Sequence, residues 1–284
     1  MYKSYETGTE IRLDQKILER VRVFVYEKSG IKLDNSKESL IRARIGKRMR
    51  VLGISNYEEY LKQVIESNDE EEVIHLLDAI STNVTSFFRG IDHFQFLKSM
   101  ISELSMSGQK KFRIWSAACS SGEEAYSIAM TILGTSSGSS GSSDIKILAT
   151  DISTRVLEKA QVGIYEPEKI EQIPKELRDK YLEKVNGTEN YRIKPILKNV
   201  IVFRRLNLSN IPFPMQGPMD VIFCRNVMIY FDHDTRRKLI GEIYRLLKPY
   251  GYLFIGHAES LIGLTDGLKI VKPSIYMKTY SVEH

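Results

Sequence analysis

Residues able to do chemistry fall in four short clusters, and each one directly follows a run of apolar residues. Ser116–Glu124 (SAACSSGEE) sets two adjacent acids, Glu123 and Glu124, behind a turn with the single glycine Gly122. Asp151 closes the segment LATD. Asn207 and Leu208 lie in RRLNLSN, and Arg225, Asn226 and Tyr230 follow the apolar start of DVIFCRNVMIYFD. An acid at a helix start can hold an amino group, and an acid at a strand end can take a ribose hydroxyl. An amide offers donor and acceptor together, as an adenine edge requires. Four strand ends that deliver polar residues to one rim form a pattern that scattered polar residues would not.

The first turn narrows the ligand. A pyrophosphate needs several backbone N–H groups at close range, which the glycines of GxGxxG permit. Only Gly122 is present here, which argues against NAD or FAD. The turn suits a ligand without phosphates that carries a carboxylate and an amino group, and S-adenosylmethionine fits that description. Each position also has a plain structural alternative. Ser121-Gly-Glu-Glu124 matches a capping box in which Glu124 reaches back to the Ser121 N–H. Asp151 could cap the helix that starts near Thr154, and Asn207 could close an Asx turn.

These residues need a sheet to position them. From about residue 110, short β-rich runs alternate with helical stretches. Strands are predicted at Phe112–Trp115, Ile145–Ala149, Val200–Phe203, Val221–Cys224, Tyr252–Ile255 and Ile275–Lys278, and helices at Glu123–Leu133, Thr154–Ala160 and Thr235–Leu247. That alternation implies an α/β, doubly wound parallel sheet, with ligands beyond the carboxyl ends of its strands. Two insertions interrupt it. Gly134–Asp144 is Gly/Ser-rich and reads as a surface loop. Residues 163–199 contain Asn186-Gly187 between apolar runs, a hairpin signal, and are expected to form a small inserted antiparallel β-subdomain. Residues 1–82 form a predicted all-helical N-terminal domain, with N-cap candidates at Asp34–Ser36, a stop at Gly53, a third helix from Asn56 and a fourth over Glu70–Ile80. Residues 83–106 read as a linker and helix, and 107–284 as the sheet domain.

Composition excludes other classes. No apolar run reaches the roughly 20 residues of a membrane-spanning helix, and MYKSYETGTE has no signal-peptide core. Cys119 and Cys224 make no disulfide framework, so a cytoplasmic setting is expected. The net charge of +5 does not by itself argue for nucleic acid. The five histidines are scattered, and no metal site is expected. Lys37, Arg44 and Arg48 recur at near-helical spacing beside the apolar stripe, and Arg42 flanks its other side. They are either a docking surface for an acidic partner or a solvated helix face.

At this point the motifs become specific. NVTSFFR (Asn83–Arg89), WSAACSSGEEAYSIAM (Trp115–Met130), ATDIS (Ala149–Ser153), FCRNVMIYFD (Phe223–Asp232) and GHAES (Gly256–Ser260) resemble the CheR-type bacterial chemotaxis receptor glutamate O-methyltransferases, in order and over nearly the whole chain. The resemblance implies a Rossmann-like S-adenosylmethionine-dependent methyltransferase sheet, with S-adenosylhomocysteine as product and no metal. It implies that Asn83, Thr85 and Arg89 contact the cofactor and that Arg89 also faces the substrate. Glu124 would hold the methionine portion, Asp151 the ribose, and Asn207 and Leu208 the adenine side. Arg225 and Asn226 would make further cofactor contacts, and Tyr230 would lie near the transferring methyl.

The resemblance further implies a chemoreceptor's cytoplasmic helical bundle as partner, which favours the docking reading of Arg42, Arg44 and Arg48. Some family members also grip a receptor's C-terminal tail peptide through the β-subdomain. The short loop at Asn186–Glu189 points to a member that does not need it. A monomer is expected, with no membrane insertion and no nucleic acid. Two other readings share the fold: a cofactor-binding regulator without turnover, and a nucleic-acid methyltransferase.

Overall fold

The computed structural model describes residues 15–66, 69–136, 143–264 and 267–279. MYKSYETGTE and residues 137–142 of the Gly/Ser stretch lie outside the described residues. Two compact units divide the chain, Met1–Ser81 and Thr82–His284.

The first unit is helical: α1 (Gln15–Ser29), α2 (Glu38–Leu52), α3 (Tyr57–Leu61) and α4 (Glu70–Ile80). Its boundaries follow from local chemistry. Asn56 caps α3 by accepting from the Glu58 N–H, and Asp69 caps α4 by accepting from the N–H groups of Glu71 and Glu72. Gly53, at φ 71°, ends α2 in the left-handed conformation. The start of α2 differs from expectation. A 3-10 turn, Asn35–Lys37, comes before it, and Lys37 takes the cap position with no side-chain hydrogen bond. Ile41, Ile45 and Met49 of α2 are buried, as are Leu18, Val21 and Val25 of α1 and Leu76, Leu77 and Ile80 of α4. Each such side chain contributes about 1.5–3 kcal/mol through removal from water.

The second unit opens with α5 (Ile91–Met106), which packs on α6, so the stretch read as a linker belongs to this unit. There follow β1 (Lys111–Ala117), α6 (Glu123–Ser136), β2 (Asp144–Asp151), α7 (Thr154–Val162), β3 (Ile164–Tyr165), α8 (Pro167–Ile170), α9 (Lys175–Tyr181), β4 (Leu182–Lys184), β5 (Tyr191–Ile193) and α10 (Pro195–Lys198). The chain then forms β6 (Ile201–Arg205), β7 (Met219–Cys224), α11 (His233–Leu246), β8 (Leu247–Ile255), β9 (Leu268–Lys272) and β10 (Ile275–Lys278). The helix α6 continues to Ser136, three residues past the predicted end, and takes up the start of the Gly/Ser stretch.

The main sheet has the order β6-β2-β1-β7-β8-β10-β9. It winds outward in both directions from the β1/β7 boundary, where the order switches. The five strands from β6 to β8 are parallel, but the sheet is mixed, because β10 runs antiparallel to both β8 and β9. Only Pro273 and Ser274 separate β9 from β10, a link too short for a parallel crossover. Ser274, the second of the two, has a positive φ of 58°, as the residue after Pro does in a type II turn. The second sheet, β3-β5-β4, is antiparallel, with Asn186-Gly187 in the hairpin between β4 and β5. Trp115, Phe112, Phe223 and Phe254 are fully buried in the main sheet. The Phe223 and Phe254 rings stack 4.3 Å apart.

Candidate functional site

The carboxyl ends of β1 and β7 are neighbours, with Ala117 beside Cys224. Glu124 reaches this point from the first turn of α6, and Arg225 from the residue after β7. One Glu124 oxygen accepts from the Ser116 hydroxyl at 2.7 Å, and the other faces Arg225 Nη1 at 3.3 Å. The Glu124 side chain is 13% exposed and that of Arg225 3%. Burial pushes the Glu124 carboxyl above the usual carboxylate range, against the pull of Arg225 and the Ser116 hydrogen bond. The capping-box alternative is not what forms. Glu124 turns to Ser116 and Arg225, and it is the buried Glu123 that accepts from the Ser121 hydroxyl at 2.7 Å, with Lys169 Nζ 3.6 Å away.

The segment Asn83–Arg89 lies against this pair. Phe87 and Phe88 are buried; Phe87 meets Tyr165 edge-on, and Phe88 meets Phe94. Phe88 sits at φ 52°, and its N–H donates to the Ser127 hydroxyl on α6 at 2.9 Å. So anchored, the Arg89 carbonyl accepts from Arg225 Nη2. The Arg89 side chain is exposed, donates to the Val84 carbonyl at 3.1 Å, and its charge is felt by Glu124. Thr85 is half-buried, and its carbonyl accepts from Lys169.

Asp151 is buried at the end of β2. One of its oxygens accepts from the Ser120 N–H at 2.8 Å and the other from the Ser153 N–H at 3.0 Å. The helix cap itself comes from Ser153, whose hydroxyl accepts from Val156 N. Ser120, at φ 51°, donates its hydroxyl to the Asn83 carbonyl at 3.1 Å, so Asp151, Ser120 and Asn83 form one connected chain. Gly122 has a packing reason. A Cβ there would lie 2.8 Å from the Ala160 Cβ of α7, and its φ of 96° suits glycine.

At the end of β6, Leu208 is buried and Asn207 closes an Asx turn, its oxygen accepting from the Ser209 N–H and hydroxyl at 3.0 and 2.9 Å. Asn226 takes φ 59°, and Tyr230, half-buried, ends a 3-10 turn, Met228–Tyr230. Sequence reasoning assigned no role to Glu259, whose carboxylate accepts from the N–H groups of Asn226, Met228 and Gly256. The motif GHAES was the available signal; its Gly256–Glu259 spacing gives the local bond, while the bonds to Asn226 and Met228 are made only by folding.

Arg42, Arg44 and Arg48 lie in the helical unit and are engaged there. Arg42 pairs with Glu38 one turn away. Arg44 donates to the carbonyls of Ala79 and Ser81. Arg48 Nε stands 2.8 and 2.9 Å from the two Glu72 oxygens, and Tyr60 OH donates to the same carboxylate at 3.0 Å. The exposed cations of α2 are Lys47 and Arg50.

One histidine group could suggest an ion. Ligand atoms of Asp92, His93 and His257 lie within 4.8 Å of one another. The two imidazole planes are 15° apart, with centroids at 4.6 Å, so no single ion can lie in the plane of both rings. The cluster is a hydrogen-bonded stack: His257 to Asp92 at 3.0 Å, and His93 to Ser274 at 2.7 Å.

Whether the residues fit a bound S-adenosyl compound can be tested on the structure itself. Asn83 Nδ2 and Arg225 Nε are buried side-chain donors with no hydrogen-bond partner. Orphaned buried donors are costly, and an acceptor-bearing ligand beside Glu124 could satisfy Arg225 Nε. Glu124 and Arg225 could receive an amino group and a carboxylate, and Asp151 is the acid at the next strand end. The residues fit.

The comparisons with known proteins agree. The family described as CheR methyltransferase, all-alpha domain, matches residues 16–81, and the CheR methyltransferase, SAM binding domain, matches residues 83–277. The chain is similar to the chemotaxis protein methyltransferase of Borreliella burgdorferi, 40% identical over 273 residues, with 94% of this chain and 96% of that protein covered. It is 37% identical over 263 residues to the chemotaxis protein methyltransferase of Escherichia coli, covering 90% and 88%. It is 34% identical over 271 residues to chemotaxis protein methyltransferase 2 of Pseudomonas aeruginosa, covering 94% of each. The chain belongs to the CheR methyltransferase family. Among the described residues no helix is long and apolar enough to cross a membrane.

Proposed function

We propose that this chain transfers the methyl group of S-adenosylmethionine to glutamate side chains in the cytoplasmic helical bundle of a chemoreceptor. The observation that carries the reading is the meeting of Glu124 and Arg225 at the β1/β7 switch, with Arg225 Nε buried and unpartnered there and Asn83 Nδ2 buried and unpartnered on the segment that Ser120 ties to Asp151. A ligand in such a sheet binds at this switch.

When bound, the cofactor supplies a methyl carbon activated by a sulfonium, which leaves as a neutral thioether as the ester C–O bond forms. Glu124 would hold the amino group, with Arg225 and Asn83 on the carboxylate. Asp151 would take the ribose. Asn207 and Leu208 would lie on the adenine side. An acceptor glutamate is already ionised at neutral pH, so no general base is needed. The work left to the protein is alignment. Arg89, exposed at the rim, would orient the incoming carboxylate, and Tyr230 would shape the transfer site. Too strong an Arg89–carboxylate bond would stabilise the ground state, so the contact must favour the transition state. On the helical unit, Lys47 and Arg50 would steer an acidic bundle, joined by Arg42 through its partly exposed guanidinium. Arg44 and Arg48 would support that face from within.

The test is transfer of a labelled methyl group from S-adenosylmethionine to a chemoreceptor cytoplasmic fragment, followed by alkali. Label released as methanol establishes glutamyl ester formation. Tight cofactor binding with no label on any receptor fragment sinks the transferase reading and leaves a cofactor sensor. Arg89→Ala with unchanged turnover at saturating cofactor and receptor would remove Arg89 from the mechanism.

A further inference from the structure

We infer that Glu259 is a positioning residue for methyl transfer, acting through the backbone of the turn that carries Arg225, Asn226 and Tyr230. The inference rests on the transferase reading.

This turn leaves β7 at Cys224 and has no strand partner. Its second residue, Asn226, sits at φ 59°, a left-handed conformation that Asn adopts more readily than other non-glycine residues. The contacts that hold the turn in place come from another loop, the one after β8. Glu259 Oε2 accepts from the Asn226 N–H at 2.9 Å, and Oε1 accepts from the Met228 N–H at 2.9 Å. Oε2 also accepts from the Gly256 N–H at 2.6 Å, at the start of its own loop. Two of the three bonds therefore cross from one loop to the other, so the carboxylate does more than cap its own turn. Hydrogen bonds from N–H to an ionised carboxylate are among the stronger ones.

The fit is tight on the other side as well. A Cβ at Gly256 would lie 2.7 Å from Asn226 Nδ2 and 2.8 Å from Glu259 Oε2. A side chain at 256 would have to push the Asn226 amide and the Glu259 carboxylate aside. The guanidinium of Arg225, one residue before the clamped amide, contacts Glu124 and the Arg89 carbonyl. Glu259 therefore fixes where the β7 side of the site stands relative to the α6 side. A displacement of about 1 Å in such a site can cost roughly 100-fold in rate.

The experiment compares the full chain with Glu259→Gln and Gly256→Ala. It measures kcat and KM for methyl transfer to a receptor fragment, the folded fraction by thermal unfolding, and amide exchange at residues 226, 228 and 256. Glutamine keeps the size but turns an NH2 against an N–H. The alanine keeps the charge and pushes the carboxylate aside. We expect both variants to remain folded, to lose about 100-fold in kcat with little change in receptor KM, and to exchange these amides faster. A Glu259→Gln enzyme with wild-type kcat or unchanged exchange overturns the inference. So does a kcat loss that merely follows the folded fraction, or a wild-type Gly256→Ala enzyme, which would make the charge matter without the position. If the wild-type chain itself transfers no methyl group, the transferase reading fails, and the amide exchange alone still decides whether Glu259 clamps the turn.

Discussion

Arg48–Glu72 in the helical unit and Arg225–Glu124 at the sheet's rim are both buried ion pairs, and they are built differently. Arg48 and Glu72 meet through Nε at 2.8 and 2.9 Å, and Tyr60 completes the carboxylate's shell. Burial and the Glu72 charge beside it push the Tyr60 hydroxyl up, so it stays a donor. Arg225 and Glu124 stand 3.3 Å apart, and Arg225 keeps a buried Nε with no partner. The first pair is a closed unit that ties α2 to α4. The second is incompletely satisfied within the protein, as suits groups that share a charged ligand.

The comparison can be broken at either end. Removing one partner of a closed buried pair leaves the other charge stranded, at a cost of about 3–5 kcal/mol. Arg48→Ala should therefore lower the stability of the helical unit by about 3 kcal/mol, the low end because Arg48 is 21% exposed. Hydrogen exchange of α2 and α4 amides in the full chain measures it. Affinity for S-adenosylhomocysteine should stay at the wild-type value, and a large loss there would dissolve the contrast.

Glu124→Gln should do the reverse. The helical unit keeps its stability, and calorimetry with S-adenosylhomocysteine should show affinity falling by about 30-fold or more, the equivalent of roughly 2 kcal/mol or more for a buried charged contact. Affinity within about threefold of wild type would remove Glu124 from the cofactor site.

A smaller effect belongs to His93, behind Arg225. Burial and the nearby charge of Arg225 lower its pKa to about 4, with Asp92 opposing and His257 adding to the shift. Its folded value is below its unfolded one, so between about pH 6.5 and 4 the unfolded chain binds the extra proton. Stability should therefore fall as pH drops through that window, by about 2 kcal/mol from pH 7 to 5. His93→Gln, which can still donate to Ser274, should flatten the unfolding profile over that range. An equally steep profile in the variant would assign the slope to other groups.

Legibility in the sequence followed the same division. β1, β2, β6 and β7 were readable because each is a β-rich run followed by polar residues at the rim, and β8 and β10 because each is a short apolar, β-rich run. β9 was not, since only Leu268 of its five residues is buried and the edge leaves no alternation to detect. Asp151, Glu124 and Arg225 were visible as polar residues at strand ends or at the start of the helix that follows. The Asx turn at Asn207 was visible as the structural alternative. The basic stripe on α2 was readable as charge, but its division into inward Arg44 and Arg48 and outward Lys47 and Arg50 depends on where α4 packs. For Glu259 the motif GHAES showed only the local contact to Gly256; its other partners, Asn226 and Met228, lie more than 30 residues away, and no local pattern encodes those contacts.

The smallest effect tests the outward half of that stripe. Lys47 and Arg50 are exposed, and an exposed charge contributes well under about 1 kcal/mol to any single contact. Its larger influence is on encounter, because complementary charge raises association rates at low salt and is screened beyond about 8 Å at physiological ionic strength. Lys47→Ala and Arg50→Ala should each lower kcat/KM for a receptor fragment by only a few-fold at low salt, leave turnover at saturation intact, and converge with wild type as salt rises. Arg48→Ala, in contrast, should show its loss as reduced stability at every salt concentration, since its charge is already neutralised inside the unit. If Lys47→Ala is silent at low salt while Arg48→Ala lowers kcat/KM without a stability change, the inward and outward assignments on α2 are reversed, and the docking surface lies on the other side of the helix.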